Sequence, residues 1–229
     1  MIIKSIELNN FRIYKGCHKI DLSVTDKENI VIISGKNGFG KTTFLMSLVW
    51  CLYGRQMCDV DEIYKREIEN NGNYKKYIRN SLNHIASEEG STTFSVAITF
   101  FNVTTIPEVT CNELKITRTY HTEGSQEENL EILIDGMESE LVEEIGKEIF
   151  IRDFIMPKEI AKFFFFDAEK IVSLAEIHTE EQQKELSKAY VEVLGIKQYQ
   201  DLKEDLEGYL NKLKEETASY KDRTELERI

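Results

Sequence analysis

Apolar and polar residues alternate through the first ten positions, MIIKSIELNN, around Ile6 and Leu8, which predicts a half-buried strand. The alternation resumes over His18–Leu22 and predicts a hairpin partner, joined by a turn at Phe11–Gly16 that carries Arg12, Lys15 and Tyr14. An unbroken apolar run follows, Ile30-Val31-Ile32-Ile33, the composition of a strand buried on both faces of a parallel sheet. After a glycine-rich stretch, Phe44–Tyr53 is apolar nearly all round and Gly54 stands behind it. This predicts a buried helix with a glycine cap.

Further along, apolar positions at Val60, Ile63, Tyr64, Tyr77, Ile78, Leu82 and Ile85 predict two helices, over 60–69 and 74–87, parted by Asn70-Asn71-Gly72-Asn73. Three strand-like runs, Thr93–Val103, Glu113–Thr122 and Asn129–Ile134, read as a meander in the same antiparallel subdomain as the opening hairpin. An amphipathic helix over Glu138–Ile149 comes next, and Pro157 marks a break. Four consecutive phenylalanines, Phe163–Phe166, read as a fully buried strand that exits at Asp167. Thr179 with Gln182 forms a capping box for a helix running to Leu194. Tyr199, Leu202, Leu206, Tyr209 and Leu213 are spaced as the seam of a coiled coil. The pattern is that of an α/β protein, with a lobe over residues 1–194 and the start of a coiled-coil arm over 195–229.

Composition adds constraints. The 229 residues are enough for a full core, and the formal charge is −12. The charge is uneven: the first sixty residues are mildly basic and the rest is acidic, which argues against DNA contact through the acidic part. With no secretory leader and no long apolar span, a soluble, cytoplasmic protein is expected. Cys17, Cys51, Cys58 and Cys111 have no metal-site spacing and are expected as reduced thiols, with Cys51 in the core.

The chemistry lies between the apolar run and the first helix. Gly35-Lys36-Asn37-Gly38-Phe39-Gly40-Lys41-Thr42 matches G-x-x-x-x-G-K-[ST] at every fixed position. Gly35, Gly38 and Gly40 let the backbone, with Asn37 between them, curl so that several N–H groups face one anionic centre, and the helix start adds the positive end of its dipole. Lys41 is expected on the β- and γ-phosphates of ATP, the Thr42 hydroxyl on Mg²⁺, and Thr43 on a phosphate oxygen. Hydrolysis asks for more groups, and the one apolar run that ends in an acid is Phe163–Asp167. It admits two readings: a Walker B strand, with Asp167 on Mg²⁺ and Glu169 as base, or the strand-exit loop that links nucleotide state to a helical subdomain. Ala168 between the two acids favours the second. Both bring Asp167 to the metal region as a candidate metal ligand and catalytic residue.

The opening IELNNFRIYKG, the loop GKNGFGKTTFL with LYG behind it, and the arm that follows resemble the SMC-like (ABC-class) ATPases of DNA repair. MPKEIAKFFFFDAEKIVSLAE and AYVEVLGIKQYQDLKEDLEGYL are more closely similar to the DndD family, the ATPases of bacterial DNA phosphorothioation. The resemblance implies a P-loop fold of the ABC/SMC head type, of which this chain is the N-terminal lobe. It implies a homodimer through ATP-bound heads, a C-terminal lobe carrying the signature motif and a further Asp-Glu pair, and DndC and DndE as partners on DNA. It places Arg12 near the phosphates and Asp167 where SMC-like heads carry a Gln. It also implies that the lobe alone binds ATP and barely hydrolyses it. Two positions depart from the family: Ala168 replaces a usual Gly, and Phe39 replaces a small residue. An SMC-like ATPase of repair or anti-phage defence, without sulfur chemistry, and a scaffold using nucleotide as structural glue are the alternative functions.

Overall fold

The alternating stretches form one antiparallel sheet. In the computed structural model, residues 1–25, 27, 29–106, 111–124, 126–165, 187, 202–203 and 205–213 are described. Strands β1 (Ile2–Phe11), β2 (Tyr14–Asp21), β3 (Thr93–Val103), β4 (Cys111–His121) and β5 (Glu128–Ile134) lie in the order β2-β1-β3-β4-β5. The alternation sorts the two faces. Ile6, Leu8, Phe94, Val96, Ile98, Leu114, Ile116 and Ile132 are buried on one side. The other side carries cross-strand ion pairs, Lys4–Glu113 at 2.6 Å and Glu7 with both Lys19 and Lys115 at 2.9 Å.

Helix α1 (Lys41–Tyr53) lies on the apolar face, and its residues from Met46 to Tyr53 are buried. A helix apolar all round is one enclosed all round. Trp50 stacks on Phe11 at 5.6 Å and tilts against Phe94 at 5.2 Å. The Cys51 thiol donates to the Val96 carbonyl at 3.3 Å, and burial pushes its pKa up to about 12. All four cysteines are free, and Cys51 is in the core as expected. At its C-terminal end Gly54 caps the helix at φ 49°, donating to the Trp50 carbonyl.

Several expected elements take a different form. Residues 30–33 are not a strand: Ile30 and Ile32 are 79% and 83% exposed. A strand buried on both faces requires parallel neighbours, and the sheet among the described residues is antiparallel and built from other segments. The helix expected over 60–69 is α2 (Glu62–Asn70), N-capped by Asp61, but that over 74–87 breaks into α3 (Tyr74–Arg79) and α4 (His84–Glu88). Between α3 and α4 the backbone serves the β1–β2 turn instead: Arg12 N–H donates to the Ser81 carbonyl at 2.7 Å and Asn83 N–H to the Asn10 carbonyl at 2.8 Å. The helix expected over 138–149 splits at Gly146 into α5 (Glu140–Ile145) and α6 (Lys147–Phe150), followed by a π-helical turn, Ile151–Ile155.

The phenylalanine run opens in a helix rather than a strand: α7 spans Lys158–Phe164 behind Pro157, Phe165 follows as its C-cap, and Phe166 lies outside the described residues. Phe164 is half exposed while Phe165 is buried, with its carbonyl accepting from the Tyr64 hydroxyl at 3.1 Å. Four apolar residues in a row fit a buried strand or one helical turn equally well, and Pro157 at the N-cap starts a helix.

The chain divides into two compact units, Met1–Ala168 and Glu169–Ile229. In the second, residues 202–203 and 205–213 are helical, with Leu202, Leu206, Tyr209 and Leu213 exposed along it. The capping-box helix expected over Thr179–Leu194 lies outside the described residues except position 187. Among the described residues no helix is long and apolar enough to cross a membrane.

Candidate functional site

The glycine-rich loop ends at the N-terminus of α1, where the motif requires it. Gly40 is its pivot. It caps the helix at φ 89° and ψ 11°, in the left-handed region, and its carbonyl accepts the first helical bond, from Phe44 N–H at 2.8 Å. It is buried, whereas Gly35 to Phe39 are exposed. What buries it is the β1–β2 turn: a Cβ built on Gly40 would lie 2.2 Å from Ile13 Cδ1 and 3.1 Å from the Tyr14 hydroxyl. That hydroxyl donates to the Gly40 carbonyl at 3.2 Å.

Lys41 folds back over the loop. Its ammonium donates to the carbonyls of Gly35 at 2.6 Å and Lys36 at 3.1 Å. Its charge therefore sits over the backbone of the segment that the motif assigns to phosphates. Thr42 is exposed and Thr43 half-buried in the first turn of α1. Phe39, which departs from the usual small residue, is 70% exposed and removes no donor. Asn37 and Gly38 form the exposed tip, and nothing lies within 4 Å of a Cβ built on Gly38. The donor set of backbone N–H groups, one ammonium and an exposed hydroxyl at a helix start fits a triphosphate with Mg²⁺.

Arg12 lies in the β1–β2 turn at φ 50°. Its guanidinium is held beside α1 by Glu67 Oε1 at 3.2 Å and Met46 Sδ at 3.5 Å, and it sits 4.9 Å from the centre of the Tyr77 ring. Asp167 and Glu169 lie outside the described residues.

The far end of α1 is tied by residues that sequence reasoning passed over. Arg118 of β4 has a side chain only 3% exposed. It donates to the Cys51 and Leu52 carbonyls at 3.0 and 3.2 Å, and pairs with Glu128 at 3.3 Å and Glu148 at 3.0 Å. A cation at the last carbonyls complements the negative end of the helix dipole. Glu128 also accepts from the Tyr74 hydroxyl, which in turn accepts from the Trp50 indole at 3.1 Å. Burial first, then Glu128, raises the Tyr74 pKa. The available signal was Arg118 on the apolar side of an alternating strand, between Ile116 and Tyr120.

Residues 5–229 match the family model described as an AAA domain. No curated protein matches the chain. Among solved structures, one described under ATP-driven dimerisation and DNA-stimulated activation of SMC ATPases is 19% identical, with TM-score 0.42, over 77% of this chain and 98% of its own. An Smc head bound to the C-winged helix domain of ScpA is 18% identical, with TM-score 0.44, over 82% of this chain and 55% of its own. The Smc head from Pyrococcus furiosus, with an extended coiled coil and bound to the C-terminal domain of ScpA, is 20% identical, with TM-score 0.40. That alignment covers 87% of this chain and 50% of the other, so this chain spans about half of the last two.

Proposed function

Since the chain belongs to the AAA domain family, with an α/β P-loop ATPase-like fold, we propose that it is the N-terminal ATPase lobe of a DndD-type, SMC-like protein that drives DNA phosphorothioation. The observation that carries the nucleotide part is the Gly40–Lys41 junction: a left-handed glycine opening α1, with the lysine ammonium folded over the loop carbonyls. When a triphosphate enters, Lys41 exchanges those carbonyls for phosphate oxygens and the loop N–H groups share the remaining charge. The Thr42 hydroxyl would hold Mg²⁺, which when bound would neutralise charge on the phosphates. Thr43 donates from the first turn, Arg12 leaves Glu67 for the phosphates, and Asp167 serves the metal shell.

The sulfur-modification part rests on the resemblance of residues 156–176 and 189–210 to DndD proteins. Hydrolysis then belongs to a dimer of ATP-bound heads acting with DndC- and DndE-type partners on DNA. The exposed run Ile30–Ile33 supports the N-terminal-lobe part of the proposal alone, because it is strand-like sequence that a C-terminal lobe would pair and cover. The test is made in cells. Deleting the gene removes phosphorothioate dinucleotides from digested genomic DNA, the wild-type gene restores them, and Lys41→Ala does not. DNA that never carries phosphorothioate in a host expressing the protein contradicts the sulfur role and leaves repair or defence.

A further inference from the structure

The β1–β2 turn has no place in the phosphate-loop motif, yet it is what covers the loop's buried glycine. Ile13 lies against Gly40 Cα, where a Cβ would stand, and Tyr14 bonds the Gly40 carbonyl. That carbonyl thus has two donors, Phe44 N–H along the helix and the Tyr14 hydroxyl from the sheet, which satisfy both its lone pairs. The Tyr14 ring is set edge-on against His18, with centroids 5.7 Å apart at 67°, so the hydroxyl is presented from a supported ring. A phenol is protonated at neutral pH and therefore a donor, and burial raises the Tyr14 pKa further.

A planar trans peptide makes this contact reach the ligand side. The Gly40 carbonyl and the Lys41 N–H belong to one rigid unit and point in opposite directions. Holding the carbonyl toward the turn therefore holds the Lys41 N–H away from it, toward the open side of the loop. Gly40 has no Cβ to restrict its backbone, so the orientation of this peptide at the helix start rests on two hydrogen bonds, one from Phe44 N–H and one from the Tyr14 hydroxyl.

We propose that Tyr14 is a positioning residue for phosphate binding: its hydroxyl fixes the Gly40–Lys41 peptide so that the Lys41 N–H stays available to the phosphates of a nucleotide, with Ile13 as the packing stop. The assignment rests on the nucleotide-binding reading of the loop. Tyr14 does not touch the phosphates; it acts through Gly40.

The experiment is a calorimetric titration of the 229-residue chain with ATP and Mg²⁺, comparing wild type, Tyr14→Phe and Lys41→Ala. Tyr14→Phe keeps the ring and removes one hydrogen bond, and it weakens ATP binding about threefold to tenfold. The titration is run well below the unfolding midpoints of all three proteins, where each is folded, so a merely structural role for the hydroxyl leaves the fitted affinity unchanged. Amide hydrogen exchange on the same unliganded proteins gives a second readout. Peptides over residues 36–44 exchange faster in Tyr14→Phe, while those over β3 and β4 do not change. Wild-type affinity and wild-type exchange in Tyr14→Phe, with binding lost in Lys41→Ala, overturn the role of Tyr14 and leave the nucleotide site standing. Absence of binding by the wild type, or equal binding by Lys41→Ala, overturns the nucleotide reading and this assignment with it.

Discussion

Gly40 combines two constraints that no other residue type meets together. Its φ of 89° is accessible to glycine without strain, and the place of its missing Cβ is occupied by Ile13. Gly40→Ala is expected to destabilise the chain by about 1–3 kcal/mol, from a side chain forced into the left-handed region and against Ile13. Urea unfolding measures the loss, and a nucleotide titration of the remaining folded protein shows weakened binding. The glycines and Lys41 of this loop were legible because the motif demands those residue types at fixed spacing. The Tyr14 contact was not, since it depends on how tightly the hairpin turns. On the far face of the sheet, hydrogen bonds from Lys115 and then Lys19 hold the Glu7 carboxyl below the usual carboxylate range. A carboxyl lowered in the folded state stabilises above its unfolded pKa, and that contribution disappears as pH falls through the folded value. The stability gap between wild type and Glu7→Gln should therefore be full near neutrality and close as pH drops below about 4. Denaturant unfolding at a series of pH values checks it.

At the scale of elements, the sheet was the most legible part. Period-two alternation over β1, β3, β4 and β5 needs only one solvated face and one core face, and both are present in this chain. The helix after the loop was equally plain, because ten nearly unbroken apolar positions closed by Gly54 leave little alternative. Segments without periodicity went differently. Phe163 and Phe164 lie in a helix, and the second predicted helix breaks where Ser81 and Asn83 bond the β1–β2 turn, a tertiary demand that local sequence does not display. Arg118 joins α1, β4, β5 and α6 through two carbonyls and two carboxylates, and a lone cation in an apolar pattern gave no hint of so many partners. Removing it leaves Glu128 half-buried without its cation and the Cys51 carbonyl without this donor. Arg118→Ala should cost about 3–5 kcal/mol, and Arg118→Ala with Glu128→Gln less than the sum of the two single changes. Chemical denaturation of the three variants measures the coupling.

The whole molecule joins a well-packed antiparallel sheet and helix to a phosphate loop whose preceding apolar run is exposed. That asymmetry explains why residues 30–33 read as a buried strand and are not one here: the sequence carries the burial pattern, and burial requires neighbouring strands that the described residues do not supply. It also agrees with the proposal of a lobe that binds nucleotide by itself and depends on other lobes and protomers to turn it over. The central claim is that Gly35–Thr43 holds a nucleoside triphosphate through Lys41. The direct measurement is equilibrium binding of ATP–Mg²⁺ to the purified chain with and without Lys41→Ala. Binding by the wild type that is lost in the variant, whose circular dichroism and unfolding midpoint match wild type, is the predicted result. Equal affinity in the two proteins contradicts it.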